Sequence, residues 1–185
     1  MLKDYVQLVQ GVNPTRHNKL SRDEEYYDQQ AFEADLMIDS SLLKNSSNEN
    51  TVQEGDVLIN QMKQKAVIVS KKNAGKVFTI NFIKVIFLDS RLDKKYFVYL
   101  YNENEYLKKQ KDKNIQGSTL QKIPLHLIEQ FDIPILPIEE QKRIGDTYFT
   151  LLSLIHNTQE RMTKHQLLTR QILEKYIQER SVSYE

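Results

Sequence analysis

The 185-residue chain has no cysteine. A disulfide framework, a thiolate metal site and a cysteine nucleophile are therefore excluded, and the composition fits a reducing compartment. Histidine is scarce: His17, His126, His156 and His165 have no metal-ligand spacing among them. His156 and His165 fall on different faces of a helix, so His165 reads as a polar seam residue. No apolar run approaches membrane length, and Met1-Leu2-Lys3-Asp4-Tyr5 is not a signal peptide. A soluble, cytoplasmic protein with no membrane contact is expected. There is no Gly-rich phosphate loop and no Walker lysine. The carboxylates of Asp23, Glu24, Glu25 and Asp28 join no lysine in a nuclease pattern and read as an acidic loop. No catalytic residue, metal site or cofactor site emerges, and the chain is expected not to be an enzyme.

Proline is also sparse, and its placement is informative. Pro134 and Pro137 bracket the exit from a globular part, and no proline follows them. From residue 138 to about Arg180 only Gly145 weakens a helical run, which would be roughly 60 Å long. That exceeds the usual helix of a globular domain, so most of it is expected to project and to find a partner helix. Ile144, Tyr148, Leu151, Ile155, Met162, Ile172 and Tyr176 recur in steps of four and three or multiples of seven, with Thr158, His165 and Thr169 filling the remaining places. This is a heptad seam with a polar middle. A second line, Leu152, Leu154, Leu167, Leu168 and Leu173, widens it. Tyr148, Leu151, Ile155, Met162 and Ile172 are the expected dimer interface of an antiparallel coiled coil.

The first part of the chain reads as an α+β fold. A short strand over Tyr5–Val9 ends at Gly11, and residues 12–18 form a turn. Residues 31–36 form one or two helical turns, and residues 44–50 a Ser/Asn-rich loop. Val57–Ile59, Ala66–Val69 and Val77–Leu88 are β-branched runs expected to form three or four antiparallel strands. Lys94–Lys109 has helical spacing, Lys108–Asn114 is a basic loop or helix end, and residues 127–136 hold another short strand. The expected organisation is a mixed α/β domain over 1–137 and a dimerisation or spacer helix over 138–185.

Net charge near +1 conceals an asymmetry. Residues 60–122 carry about 14 basic and about 5 acidic residues, while residues 1–59 carry about 5 and about 11. A basic middle segment is what a nucleic-acid face requires. Lys63, Lys65, Lys71, Lys72 and Lys76 sit at strand ends or in loops, and Lys108, Lys109, Lys111 and Lys113 form a second run. Such side chains neutralise phosphates. Gln116, Ser118 and Thr119 offer hydrogen bonds to phosphates or base edges beside the permissive Gly117. A plain turn and a solvated lysine face account for the same residues. Asn13-Pro14-Thr15-Arg16 lacks the second proline and the aromatic of an adenine-methyltransferase motif.

Two motifs carry a family resemblance. Gln116-Gly117-Ser118-Thr119 leads, after a hydrophobic stretch, to Ile133-Pro134-Ile135-Leu136-Pro137-Ile138-Glu139-Glu140-Gln141-Lys142-Arg143-Ile144. This order resembles one half of a DNA-specificity subunit of type I restriction-modification systems. Weaker matches are Gly11 with Pro14, Gly55-Asp56-Val57-Leu58-Ile59 and Thr79-Ile80-Asn81. The resemblance implies a target recognition domain that reads a half-site of double-stranded DNA, and a helix that acts as spacer. It implies modification (methyltransferase) subunits that carry S-adenosylmethionine and methylate adenine, and a restriction (motor-nuclease) subunit that joins them for cleavage. No cofactor is implied in this chain itself. The usual subunit has two recognition domains and two helices; this chain has one of each, so a homodimer is expected. Its expected DNA contacts are Arg16, Lys63, Lys65, Lys71, Lys72, Gln116, Ser118 and Thr119. A helical protein-interaction adaptor without sequence-specific DNA binding is the alternative.

Overall fold

A computed structural model describes residues 1–14, 25–36, 50–115 and 122–181. The strands are β1 (Val6–Gln10), β2 (Tyr26–Tyr27), β3 (Val57–Asn60), β4 (Lys65–Ile68), β5 (Val77–Phe78) and β6 (Phe82–Phe87). The helices are α1 (Gln29–Asp35), α2 (Lys94–Glu103), α3 (Glu105–Ile115), α4 (Leu125–Ile128) and α5 (Ile138–Ser181). Together they form the α+β domain with a long C-terminal helix that the pattern predicts. Four strands make one antiparallel sheet in the order β1-β6-β3-β4.

Both faces of this sheet are covered. Val57, Ile59, Ala66, Ile68, Ile83 and Val85 pack under α2, α4 and the start of α5. Leu58, Val67 and Phe82 point the other way, toward Tyr27, Phe32 and Phe78. Double burial explains why these strands read as continuous apolar runs instead of alternating ones. The exception is Lys84, opposite Leu58 on β6. Its buried Nζ lies 2.7 Å from the Asp56 carboxylate and donates to the Thr51 carbonyl at 3.2 Å. Asp56 also accepts from the Gln53 N–H, so the turn into β3 fixes the partner of a buried cation.

Four expectations need correction. Residues 127–136 contain no strand: α4 is one helical turn, followed by an extended segment outside any ladder. Pro134 and Pro137 lack the N–H a ladder needs. Neighbouring groups are taken elsewhere: Leu2 N–H donates to Phe131 O, Tyr96 OH to Pro134 O, and Gln110 exchanges two bonds with the Asp132 backbone. The single helical stretch over 94–109 is two helices, because the Asn104 side chain accepts from the N–H groups of Tyr106 and Leu107 and caps α3. Lys108–Asn114 is the body of α3, held by buried Leu107 and Lys111. Val77–Phe78 leaves the antiparallel sheet and pairs in parallel with Tyr26–Tyr27, a strand too short to show in the sequence.

Candidate nucleic-acid interface

Strand register gathers polar residues at one end of the sheet. Gln10 lies opposite Ile83, and Asn60 opposite both Phe82 and Lys65. Beyond them the 61–64 and 79–81 turns meet: Gln61 N–H donates to Asn81 O at 2.9 Å. Gln10 Nε2 donates to Ile80 O at 2.6 Å and to Gln61 Oε1 at 3.2 Å. Asn60 Oδ1 accepts from the N–H groups of Met62 and Lys63, and its Nδ2 donates to Gln29 Oε1 at 2.9 Å. Buried Asn60 and Gln61 thus brace the turns, while Gln10, Gln29 and Asn81 are exposed. Gly11 lets the chain leave β1 hard against residues 78–79: a Cβ there would collide with the Thr79 and Phe78 carbonyls. A cleft of about 250 Å³ is lined by Tyr26, Asp28, Gln29, Asn60, Thr79 and Asn81. Amides carry a donor and an acceptor side by side, the pattern that reads base edges in a DNA groove.

Of the expected contacts, Lys63 and Lys65 belong to this end. Lys63 Nζ lies 2.6 Å from Glu33, and Lys65 Nζ lies 3.0 Å from Glu103 and donates to Asn102 O at 2.9 Å. Both ammonium groups are therefore held in exposed pairs of small energy. Lys71 and Lys72 are exposed on a 3-10 turn past the other end of β4, about 13 Å of strand away. The structure thus splits the four lysines into two pairs. Arg16, Gln116, Ser118 and Thr119 lie outside the described residues. The described residues beside two of these segments are at the amide-rich end. Val12 exchanges hydrogen bonds with Phe78 and Ile80. Lys122 Nζ donates to Asn81 Oδ1 at 2.8 Å, and Ile115 lines a cleft with Lys63 and Lys65.

Lys111, part of the second basic run, turns inward. Its Nζ donates to Tyr101 O at 2.6 Å and Gln64 O at 3.2 Å. Burial, then nearby Lys65, lowers its pKa from the usual 10.5 to about 8. Sequence reading missed Gln10, Gln29 and Asn60, since strand register and the packing of α1 on Asn60 bring them together; Asn81 stood out only within Thr79-Ile80-Asn81, through the family resemblance.

The start of α5 is joined to this domain by the Pro-rich motif. The Gln141 side chain, 1% exposed, donates to Leu136 O at 2.7 Å and Arg91 O at 2.8 Å and accepts from Asp93 N–H at 2.9 Å. One turn on, Gly145 abuts α2: a Cβ would fall 2.7 Å from Lys95 Cβ and 2.8 Å from the Tyr96 nitrogen. Tyr148, expected in the exposed seam, is instead buried against this domain. Its ring packs on Tyr99, and its hydroxyl lies 3.1 Å from Glu103 Oε1 and 3.4 Å from Asn102 Nδ2. It sits on the seam line but one turn too close to α2 to stay uncovered. Leu151, Ile155, Met162 and Ile172 are exposed, as are Leu154, Leu167, Leu168, Leu173, Tyr176 and Ile177.

Among the described residues no group of metal-capable side chains gathers, and no helix is long and apolar enough to cross a membrane. Residues 9–164 match the family described as the type I restriction modification DNA specificity domain. No curated protein matches the sequence. The fold is similar to the HsdS subunit from Thermoanaerobacter tengcongensis, with a TM-score of 0.53 and 16% identity over 86% of this chain and 38% of that one. It is also similar to a chain in a structure titled as the structural basis of complex assembly and conformational transition of the type I R-M system. There the TM-score is 0.56 and the identity 16%, over 87% of this chain and 40% of that one. The chain thus spans about two fifths of the length of these solved chains.

Proposed function

Because this chain belongs to the type I restriction modification DNA specificity domain family, we propose that it reads one half-site of double-stranded DNA per copy and works as a homodimer. Its part is recognition, not catalysis. Modification subunits supply the methyltransferase and hold S-adenosylmethionine, and a motor-nuclease subunit joins them for cleavage, all in the cytoplasm. Residues 1–137 read DNA, and 138–185 set the spacing and pair with the second copy.

The observation that carries this reading is the amide-rich end of the sheet. Gln10, Gln29 and Asn81 are exposed amides held there by internal hydrogen bonds that base edges would replace, and Lys63 and Lys65 sit beside them. Arg16, Gln116, Ser118 and Thr119 complete the DNA contacts from segments whose described neighbours belong to this end. Lys71 and Lys72 reach phosphates outside it. Leu151, Ile155, Met162 and Ile172 form the antiparallel dimer seam, which Tyr148 supports from below. The test is selection from a randomised duplex pool by the chain with its modification subunits. Enrichment of an inverted repeat is expected. Asn81→Ala changes the preference at a base position, whereas Lys71→Ala weakens all sequences and lowers the salt slope by about 1. Purely non-specific, salt-dependent retention would favour the adaptor reading.

A further inference from the structure

The distal part of α5 is self-complementary in one antiparallel register. Resting on the homodimer reading above, we infer that the second copy's α5 is seated with its Tyr176 opposite Leu151, its Ile172 opposite Ile155, its Thr169 opposite Thr158 and its His165 opposite Met162. Three observations select this register. Both outer layers pair apolar with apolar side chains, and the next layer pairs threonine with threonine. In an antiparallel pair each residue flanking the seam meets its own kind of flanking position. Here Leu152 then meets Leu173 and Gln159 meets Gln166, while Arg161 and Lys175 meet the leucines 168 and 154.

The neighbouring registers fail on charge and on coverage. One heptad toward the domain, Arg161 faces Arg161 of the second copy, Ile155 faces His165 and Leu151 faces Thr169. One heptad toward the tip, Arg161 faces Lys175 and the apolar layer of Leu151 is lost. Like charges and apolar–polar layers at such positions are what fix register in coiled coils.

The selected register also accounts for a groove. A space of about 570 Å³ opens beside Leu151, lined by Tyr99, Glu140, Arg143, Ile144, Thr147 and Tyr148. The second copy's Tyr176 arrives over Leu151, and its Glu179 and Arg180 come level with Tyr148 and Thr147 at the rim of this groove. The helix end of each copy thereby covers the α2–α5 junction of the other. The two Leu151 levels stand about 38 Å apart along the coil.

The chain has no cysteine, so an introduced pair supplies its only thiols. Full-length chain carrying Ile155→Cys and Ile172→Cys is oxidised and run without reductant, beside an Ile155→Cys/His165→Cys chain and each single variant. All these positions are exposed, so the fold tolerates them. The 155/172 chain is expected to become a covalent dimer, with the others staying monomeric on the gel. Tyr176→Ala is expected to raise the dimer dissociation constant at least tenfold. Cross-linking through 155/165, or none at all while light scattering still reports a dimer, overturns the register and leaves the homodimer standing. A monomer that joins one modification subunit through this face overturns both.

Discussion

Residues 138–152 and 153–181 belong to one continuous helix, yet their order has different sources. The first segment is fixed by the domain: Gln141 binds three backbone groups, Gly145 abuts α2, and Tyr148 and Phe149 enter the core. The second segment carries exposed Ile155, Met162, Leu167, Leu168, Ile172 and Leu173, and none of them joins a core cluster. A periodic apolar seam therefore does not say who covers it. The same heptad line is intrachain core at Tyr148 and exposed one turn later.

The contrast can be broken most strongly in the second segment. Ile155→Asp removes a seam contact worth about 1.5–3 kcal/mol in each of two copies, so the dimer dissociation constant should rise at least about 100-fold. Sedimentation at tens of micromolar would then report a monomer whose domain melts unchanged. Deleting one heptad from the distal helix should keep the seam and shorten the spacing by about 10 Å. The preferred gap between DNA half-sites should shrink by about three base pairs at about 3.4 Å each, read by the same pool selection.

Changes in the first segment should act on folding instead. Gln141→Leu leaves Asp93 N–H and two carbonyls unpaired, at a cost of about 2–4 kcal/mol in denaturant unfolding. Gly145→Ala should cost about 1–3 kcal/mol despite the better helix former, since the new methyl collides with α2. Neither change should alter the pairing of residues 151–176 in protein that remains folded.

The smallest effect concerns Lys111. Its folded-state pKa is about 8 against the usual 10.5, so the unfolded chain holds more protons between these values. Stability should rise with pH from about 8 toward 10, and Lys111→Met should flatten that rise. Burial pushes the Tyr148 hydroxyl up to about 12, so its contribution is lost progressively as pH rises from 10 to about 12 in both proteins.

Long-range periodicity made α5 legible in the sequence, because more than forty residues repeat one pattern. The central strands were legible as apolar runs bounded by glycine and asparagine turns. The rest depended on distant partners. β2 is two residues long and exists by pairing with β5 some fifty positions later. Residues 127–136 are apolar enough for a strand, but Pro134 and the groups of Leu2, Tyr96 and Gln110 claim them for a loop. The basic count of residues 60–122 pointed to DNA, yet Lys84 and Lys111 in that count are buried and Lys63 and Lys65 are paired. The amide-rich end was not legible, since Gln10 reaches the 79–81 turn only through the β1–β6 register.

Two identical readers related by a two-fold axis must read the same half-site in opposite orientation. Methylome sequencing of a host in which this 185-residue chain is the only specificity gene, alongside modification subunits, tests that most directly. An interrupted palindrome with a fixed gap is the predicted methylated motif; an asymmetric bipartite motif would contradict the account.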